Sequence, residues 1–196
     1  MRLHTLAALL VLSALSSHAQ AQSRRYSFFS AGPGGAPDER YLDPQYTLMA
    51  GYGTTFGAAG GAHVSLRTII AYARFRPDER ALLDSLSTPG GRVEGGKSTV
   101  LDTGGDLVAG VNAGLVGAYA FYGLHYYWES HEAPTEGGED LPRRRFRSDL
   151  GPSYGGGVRL NFSRDAALFG EWYRGGGSDD RMIRQQGLRF GLTGSF

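Results

Sequence analysis

The sequence predicts an all-β chain whose eight strands run up and down as one antiparallel barrel. Three observations predict it. Apolar residues alternate with small or polar ones through most of the chain. The connections between these stretches alternate long and short. Glycine, 31 of 196 residues, stands at about twice its usual share, beside 12% aromatics and no cysteine. Collagen is excluded, because the glycines follow no G-X-Y period, and disorder is excluded by the aromatics. Without cysteine there is no disulfide, thiolate metal site or cysteine nucleophile.

The strands follow in order. The first, 24 to 31, reads RRYSFFSA and is short, with Phe28 and Phe29 on opposite parities. The second covers 46 to 57. In the third, 63 to 75, Val64, Leu66, Ile70 and Tyr72 oppose His63, Ser65, Arg67 and Ala71. The fourth covers 99 to 112, and the fifth, 115 to 129, carries Val116, Ala118, Ala120, Tyr122, Leu124, Tyr126 and Trp128 on its apolar side. The sixth, 149 to 162, alternates most cleanly, with Leu150, Tyr154, Val158, Leu160 and Phe162 against Asp149, Ser153, Gly157, Arg159 and Asn161. The seventh and eighth, 166 to 175 and 183 to 196, complete the set. The last places Leu188, Phe190, Leu192 and the terminal Phe196 on one face. Glycine in such strands lets them bend and crowd around a narrow interior.

The amino-terminal residues MRLHTLAALLVLSALSSHAQAQ read as an export leader. A positive start precedes an apolar run of leader length, and Ala19 and Ala21 provide the small residues that signal peptidase needs. Cleavage after Ala21 leaves 22–196 as one barrel domain. The loss of Arg2 balances the remaining chain at 19 basic against 19 acidic residues, so nothing points to a nucleic-acid partner.

Residues 91 to 98, GRVEGGKS, match the G-x-x-x-x-G-K-[ST] pattern of a nucleotide-binding loop. That pattern works between a buried strand and a helix. Here it follows the turn-rich SLSTPG and precedes TVLDTGGDLVAG, whose glycines and β-branched residues oppose a helix. A surface loop without nucleotide is the preferred reading. The same connection holds DERALLDSL, in which Leu82, Leu83 and Leu86 line one side of a short surface helix.

A period-two strand ending on Phe196, the eight alternating segments and the long-short connections together resemble the small eight-stranded outer-membrane barrels. That superfamily contains the OmpA transmembrane domain, the opacity proteins and the attachment and invasion proteins. The resemblance covers all of 22–196. It implies a transmembrane barrel in the outer membrane of a Gram-negative bacterium, monomeric, without cofactor or enzymatic activity, acting structurally or through its extracellular loops. It also implies contact with outer-membrane lipid and, through Phe196, with the barrel-assembly machinery.

Charge decides which face meets lipid. With the apolar parity outward, Arg67, Asp106, Arg159, Glu171 and Arg189 fall inside; an arginine at the bilayer midplane would cost roughly 2–4 kcal/mol. Buried ions need partners. The expected lumen network therefore pairs Arg67, Arg159 and Arg189 with Glu171, Asp106 and Asp149, and plugs the barrel. Tyr46, Tyr126, Trp128 and Trp172 are the expected aromatic girdle residues. A soluble lipocalin-like ligand binder would reverse the faces.

Catalysis has one competing reading. The lipid A deacylases carry a histidine, a serine two residues on and a glutamate, but in LHYYWESHE His125 is followed by Tyr127 at that place. His125 and Glu129 share a face, and a polar pair near the lumen rim is preferred over a general base lacking a nucleophile. His131-Glu132 lacks the second histidine of a zinc motif. In HEAPTEGGEDLPRRRFR, four acidic residues precede Arg143, Arg144, Arg145 and Arg147. These arginines have the chemistry to grip lipopolysaccharide phosphates, although a solvated loop of compensating charge is the plainer reading.

Overall fold

The computed structural model describes residues 24–33, 36–37, 42–77, 93–94, 97–132, 135–136, 144–178 and 183–196. The leader with Ala19 and Ala21, the helix expected from DERALLDSL, and Arg143 lie outside these residues. Among the described residues the long strands are β1 (Arg24–Gly32), β2 (Leu42–Ala59), β3 (Ala62–Pro77), β4 (Lys97–Ala113), β5 (Val116–Glu132), β6 (Arg144–Asn161), β7 (Ala166–Gly175) and β8 (Gln185–Ser195). Each pairs antiparallel with the next. Pairing of β1 with β8, from Tyr26 opposite Ser195 to Ala31 opposite Phe190, closes the sheet. The protein is the closed eight-stranded antiparallel barrel that its alternation predicts.

The two ends of the barrel differ. At one end the connections are tight: Gly60 and Gly61 turn β2 into β3 with φ of 57° and 88°, a conformation only glycine adopts at no cost. Gly114 (φ 65°) opens the β4–β5 turn. Ser163 Oγ accepts the backbone N–H of Asp165 (3.2 Å) and Ala166 (2.9 Å) between β6 and β7. At the other end the strands run past their apolar stretches. β6 begins at Arg144 rather than 149, and β2 at Leu42 rather than 46. Backbone hydrogen bonding continues where side-chain alternation has ended, so the alternation marks the apolar band and not the full ladder. Beyond it, Ala36–Pro37 pair with Gln185 and Gln186, and Val93–Glu94 pair with Thr135–Glu136. GRVEGGKS is thus split between a short strand and the start of β4; no helix follows Lys97 and Ser98.

The outward parity is apolar: Leu66, Ile70, Leu107, Tyr122, Leu124, Leu150, Val158 and Phe190 are all exposed. The inward parity buries Arg67, Asp102, Asp106, His125, Glu171 and Arg189. This is the reverse of a soluble barrel that lines its cavity with apolar groups.

The interior also takes large aromatics, and glycines give five of them space. Phe28 lies opposite Gly51, Tyr26 opposite Gly53, Tyr119 opposite Gly157, Phe121 opposite Gly155 and Phe169 opposite Gly191 in the strand register. A Cβ built on Gly51 would stand 2.3 Å from the Phe28 ring, and one on Gly155 would stand 2.6 Å from the Phe121 ring and 2.1 Å from the Trp172 carbonyl oxygen. The glycine content is therefore the counterpart of the inward aromatics. Gly155→Ala is expected to destabilise the barrel by about 1–3 kcal/mol through overpacking. Gly105→Ala, whose Cβ meets nothing nearer than the Arg67 carbonyl oxygen at 3.7 Å, should stay within about 0.5 kcal/mol of the parent. Urea unfolding of the detergent-refolded protein measures both.

Candidate functional site

Midway along the lumen, β3, β4, β5, β7 and β8 each contribute charge. Arg67 on β3 donates from Nε to Asp106 Oδ2 of its neighbour β4 (2.8 Å). From Nη1 it donates across the lumen to Glu171 Oε2 on β7 (2.6 Å). Glu171 is the hub. Its Oε2 also accepts the Tyr119 hydroxyl (3.0 Å), and its Oε1 accepts Arg189 Nε (2.7 Å) together with Arg189 Nη2. Asp106 passes the network on: Oδ1 accepts His125 Nε2 at 2.9 Å, and His125 Nδ1 faces Asp102 Oδ1 at 3.5 Å.

Local register builds this cluster. Arg67 and Asp106 are direct cross-strand neighbours, as are Glu171 and Arg189. His125 and Asp106 find room because each lies opposite a glycine, Gly104 and Gly123. The guanidiniums stack on rings, Arg67 over Phe121 at 4.2 Å and Arg189 over Tyr173 at 4.4 Å, which gives cations excluded from water a favourable π-face. Above the ions, Ala73, Phe75, Val100 and Tyr127 form an apolar cluster completed by Ile183 from the segment before β8. The N–H of Ile183 donates to Glu129 Oε2 at 3.0 Å.

Two expected members of the network sit elsewhere. Arg159 lies toward the turn end, half-buried, 5.7 Å from the Tyr119 ring centroid, and no carboxylate of the described residues is within ion-pair distance of it. Glu171, the nearest inward carboxylate on the adjacent strand, has both oxygens taken by Arg67, Arg189 and Tyr119. Asp149 is at the loop end of β6, where Oδ1 accepts the N–H of Leu150 and Oδ2 accepts Ser178 Oγ, each at 2.8 Å. Gly157, the β6 residue opposite Glu171, is about 26 Å further along the strand at ~3.3 Å per residue. His125 and Glu129 are not partners as expected; His125 turns to Asp106 and Asp102, and Glu129 to Ile183. Asp102, His125 and Tyr119 belong to the network although parity alone does not single them out. The strand register, which sets His125 diagonal to Asp106 across β4 and β5, is the signal that finds them.

The remaining residues have plain positions. Arg147 is on the inward parity opposite Glu129, between exposed Phe146 and Ser148, so it does not face outward. Arg144 and Arg145 are described only as backbone of β6. Phe196 is exposed; its N–H donates to the Arg25 carbonyl (3.1 Å) and its ring lies 6.2 Å from that of Tyr52. Tyr46, Tyr126, Trp128 and Trp172 all face outward, with Tyr126 and Trp128 in edge contact at 4.5 Å.

One further pair has chemical interest. Ser98 Oγ lies 2.5 Å from His131 Nδ1, the contact a nucleophilic serine makes with its base. Ser98 is wholly buried, however, and its inward parity keeps it from any lipid substrate on the outer face. The pair ties β4 to β5 at the rim, beside Lys97 and Glu132, which are 4.0 Å apart.

No protein-family model and no curated protein sequence matches the chain. Solved structures do. A major outer membrane protein from Thermus thermophilus superposes with a TM-score of 0.61 at 12% identity, covering 89% of this chain and 100% of that one. Neisserial surface protein A gives 0.55 at 12% identity, covering 88% and 97%. The attachment invasion locus protein of Yersinia pestis gives 0.51 at 16% identity, covering 89% and 98%. At such identities the likeness is one of fold, and the fold is that of the small outer-membrane barrels.

The ion network carries an energetic consequence. Glu171→Gln leaves Arg67 and Arg189 short of countercharge in a water-poor interior and should cost about 3–5 kcal/mol. Asp165→Asn, which breaks the exposed ion pair to Arg24, should cost less than about 1 kcal/mol. Equal urea midpoints for the two variants would refute this ranking.

Proposed function

We propose that the protein is a non-enzymatic outer-membrane β-barrel, exported by a leader cut after Ala21, monomeric, serving envelope integrity or surface interaction through its long loops. The observation that carries this reading is the inversion of polarity: an outward apolar surface around a lumen whose central ions are paired with one another. Such a surface is stable where hydrocarbon surrounds it, and the closed ladder leaves no strand edge unpaired there. The short turns and both described chain ends then face the periplasm, and the long connections face outward.

Outward cations at the loop end refine the expected contact with lipopolysaccharide. Arg147 is on the inward parity, whereas Arg74 and Arg76 are on the outward parity of β3, Arg74 level with Tyr46 and both beyond Tyr72; the two tyrosine ring centroids are 6.1 Å apart. Arg74 Nε has no hydrogen-bond partner. A guanidinium above an aromatic band is where a lipid phosphate would lie.

Cell fractionation tests the reading. The protein is expected in the outer-membrane fraction, and its electrophoretic mobility should change on boiling as the barrel unfolds. Recovery in the soluble periplasm without such a change would overturn it. Incubation of the purified protein with lipid A should leave every acyl chain in place; released fatty acid would instead establish a hydrolase.

A further inference from the structure

At the turn end the lumen opens into a vestibule of about 500 Å³. Arg159, Tyr26 and Thr193 form its floor and also bound a void of about 20 Å³ next to Arg67. Arg159 therefore stands between the vestibule and the ion network.

The charge here is unbalanced. Three arginines, Arg24, Arg159 and Arg164, line the vestibule against one aspartate, Asp165. Arg24 takes that aspartate at 2.5 Å. Among the described residues no carboxylate is left within ion-pair distance of Arg159 or Arg164. The Nε of Arg159 is buried and has no hydrogen-bond partner, while its guanidinium is held beside the Tyr119 ring. His63, more than nine-tenths buried on the same wall, has Nδ1 3.3 Å from the Asn112 amide nitrogen, and its Nε2 is also without a partner. The amide nitrogen donates, so Nδ1 accepts and Nε2 carries the ring proton. Two N–H donors in one cavity thus lack acceptors, whereas the guanidiniums of Arg67 and Arg189 each have a carboxylate partner in Glu171.

An oxyanion supplies what both donors lack, with a charge-assisted hydrogen bond to Arg159. The volume falls within the roughly 300–1,000 Å³ of small-molecule sites and exceeds what a bare phosphate fills. Leu115 and Phe162 add apolar wall at the rim. We propose that this vestibule binds a small organic anion, a carboxylate or phosphate monoester, with its head on Arg159 and His63 and its body along Leu115 and Phe162.

The test is a titration of the detergent-refolded barrel with phenyl phosphate and with inorganic phosphate at constant ionic strength, following the arginine Nε–Hε resonances by NMR. The Arg159 signal should shift saturably, at lower concentration for phenyl phosphate, while that of exposed, outward Arg25 stays still. Arg159→Gln, with folding checked by its heat-shifted mobility, should weaken binding about tenfold or more, as expected for one charge-assisted hydrogen bond. Should that variant not fold, His63→Gln provides the same comparison. A linear shift shared with Arg25, equal affinity for the two probes, or undiminished binding in the folded variant would overturn the proposal.

Discussion

Eight strands enclose an interior just wide enough for side chains from opposite walls to meet, and that width constrains everything else in this protein. Many of the bulky inward groups are matched by a residue that withdraws. The register does this pair by pair, setting Phe28 against Gly51, Phe121 against Gly155, His125 against Gly104 and Asp106 against Gly123. Glycine here serves less to bend the strand than to vacate volume for its neighbour, so composition and packing are one fact seen twice.

The same narrowness puts the inward charges within reach of one another. Arg67 touches both its strand neighbour and the far wall, and Glu171 receives cations from two directions. No long side chain has to stretch. An apolar cluster around Phe75, Tyr127 and Ile183 lies toward the loop end of the lumen, while at the turn end a vestibule opens, where Arg159 finds no carboxylate among the described residues. The lumen is accordingly graded from apolar through paired ions to unpaired cations.

Much of this is legible in the sequence, for a physical reason. A barrel wall alternates between two solvents, so parity together with the spacing of the connections marks the eight long strands and assigns Arg67, Asp106, Glu171 and Arg189 to the inside. What parity cannot report is height. Asp149 shares a face with the network yet stands too far along β6 to join it, Arg159 meets a Glu171 already taken by Arg67, Arg189 and Tyr119, and His125 chooses Asp106 over Glu129 because of cross-strand register rather than sequence spacing. Strand ends were the other blind spot. Arg144 to Ser148 extend β6 through backbone pairing with β5, and a backbone ladder leaves no mark on side-chain pattern.

The contact from Arg67 to Glu171 joins two strands that are 104 residues apart in the chain and not adjacent in the sheet. It can form only after the sheet has curled upon itself. An open sheet would keep Arg67 beside Asp106 and Glu171 beside Arg189, its register neighbours, but would leave these two pairs unjoined. Closure therefore adds a contact that locks two local ion pairs together, so the seam between β1 and β8 and the charged centre of the lumen reinforce each other.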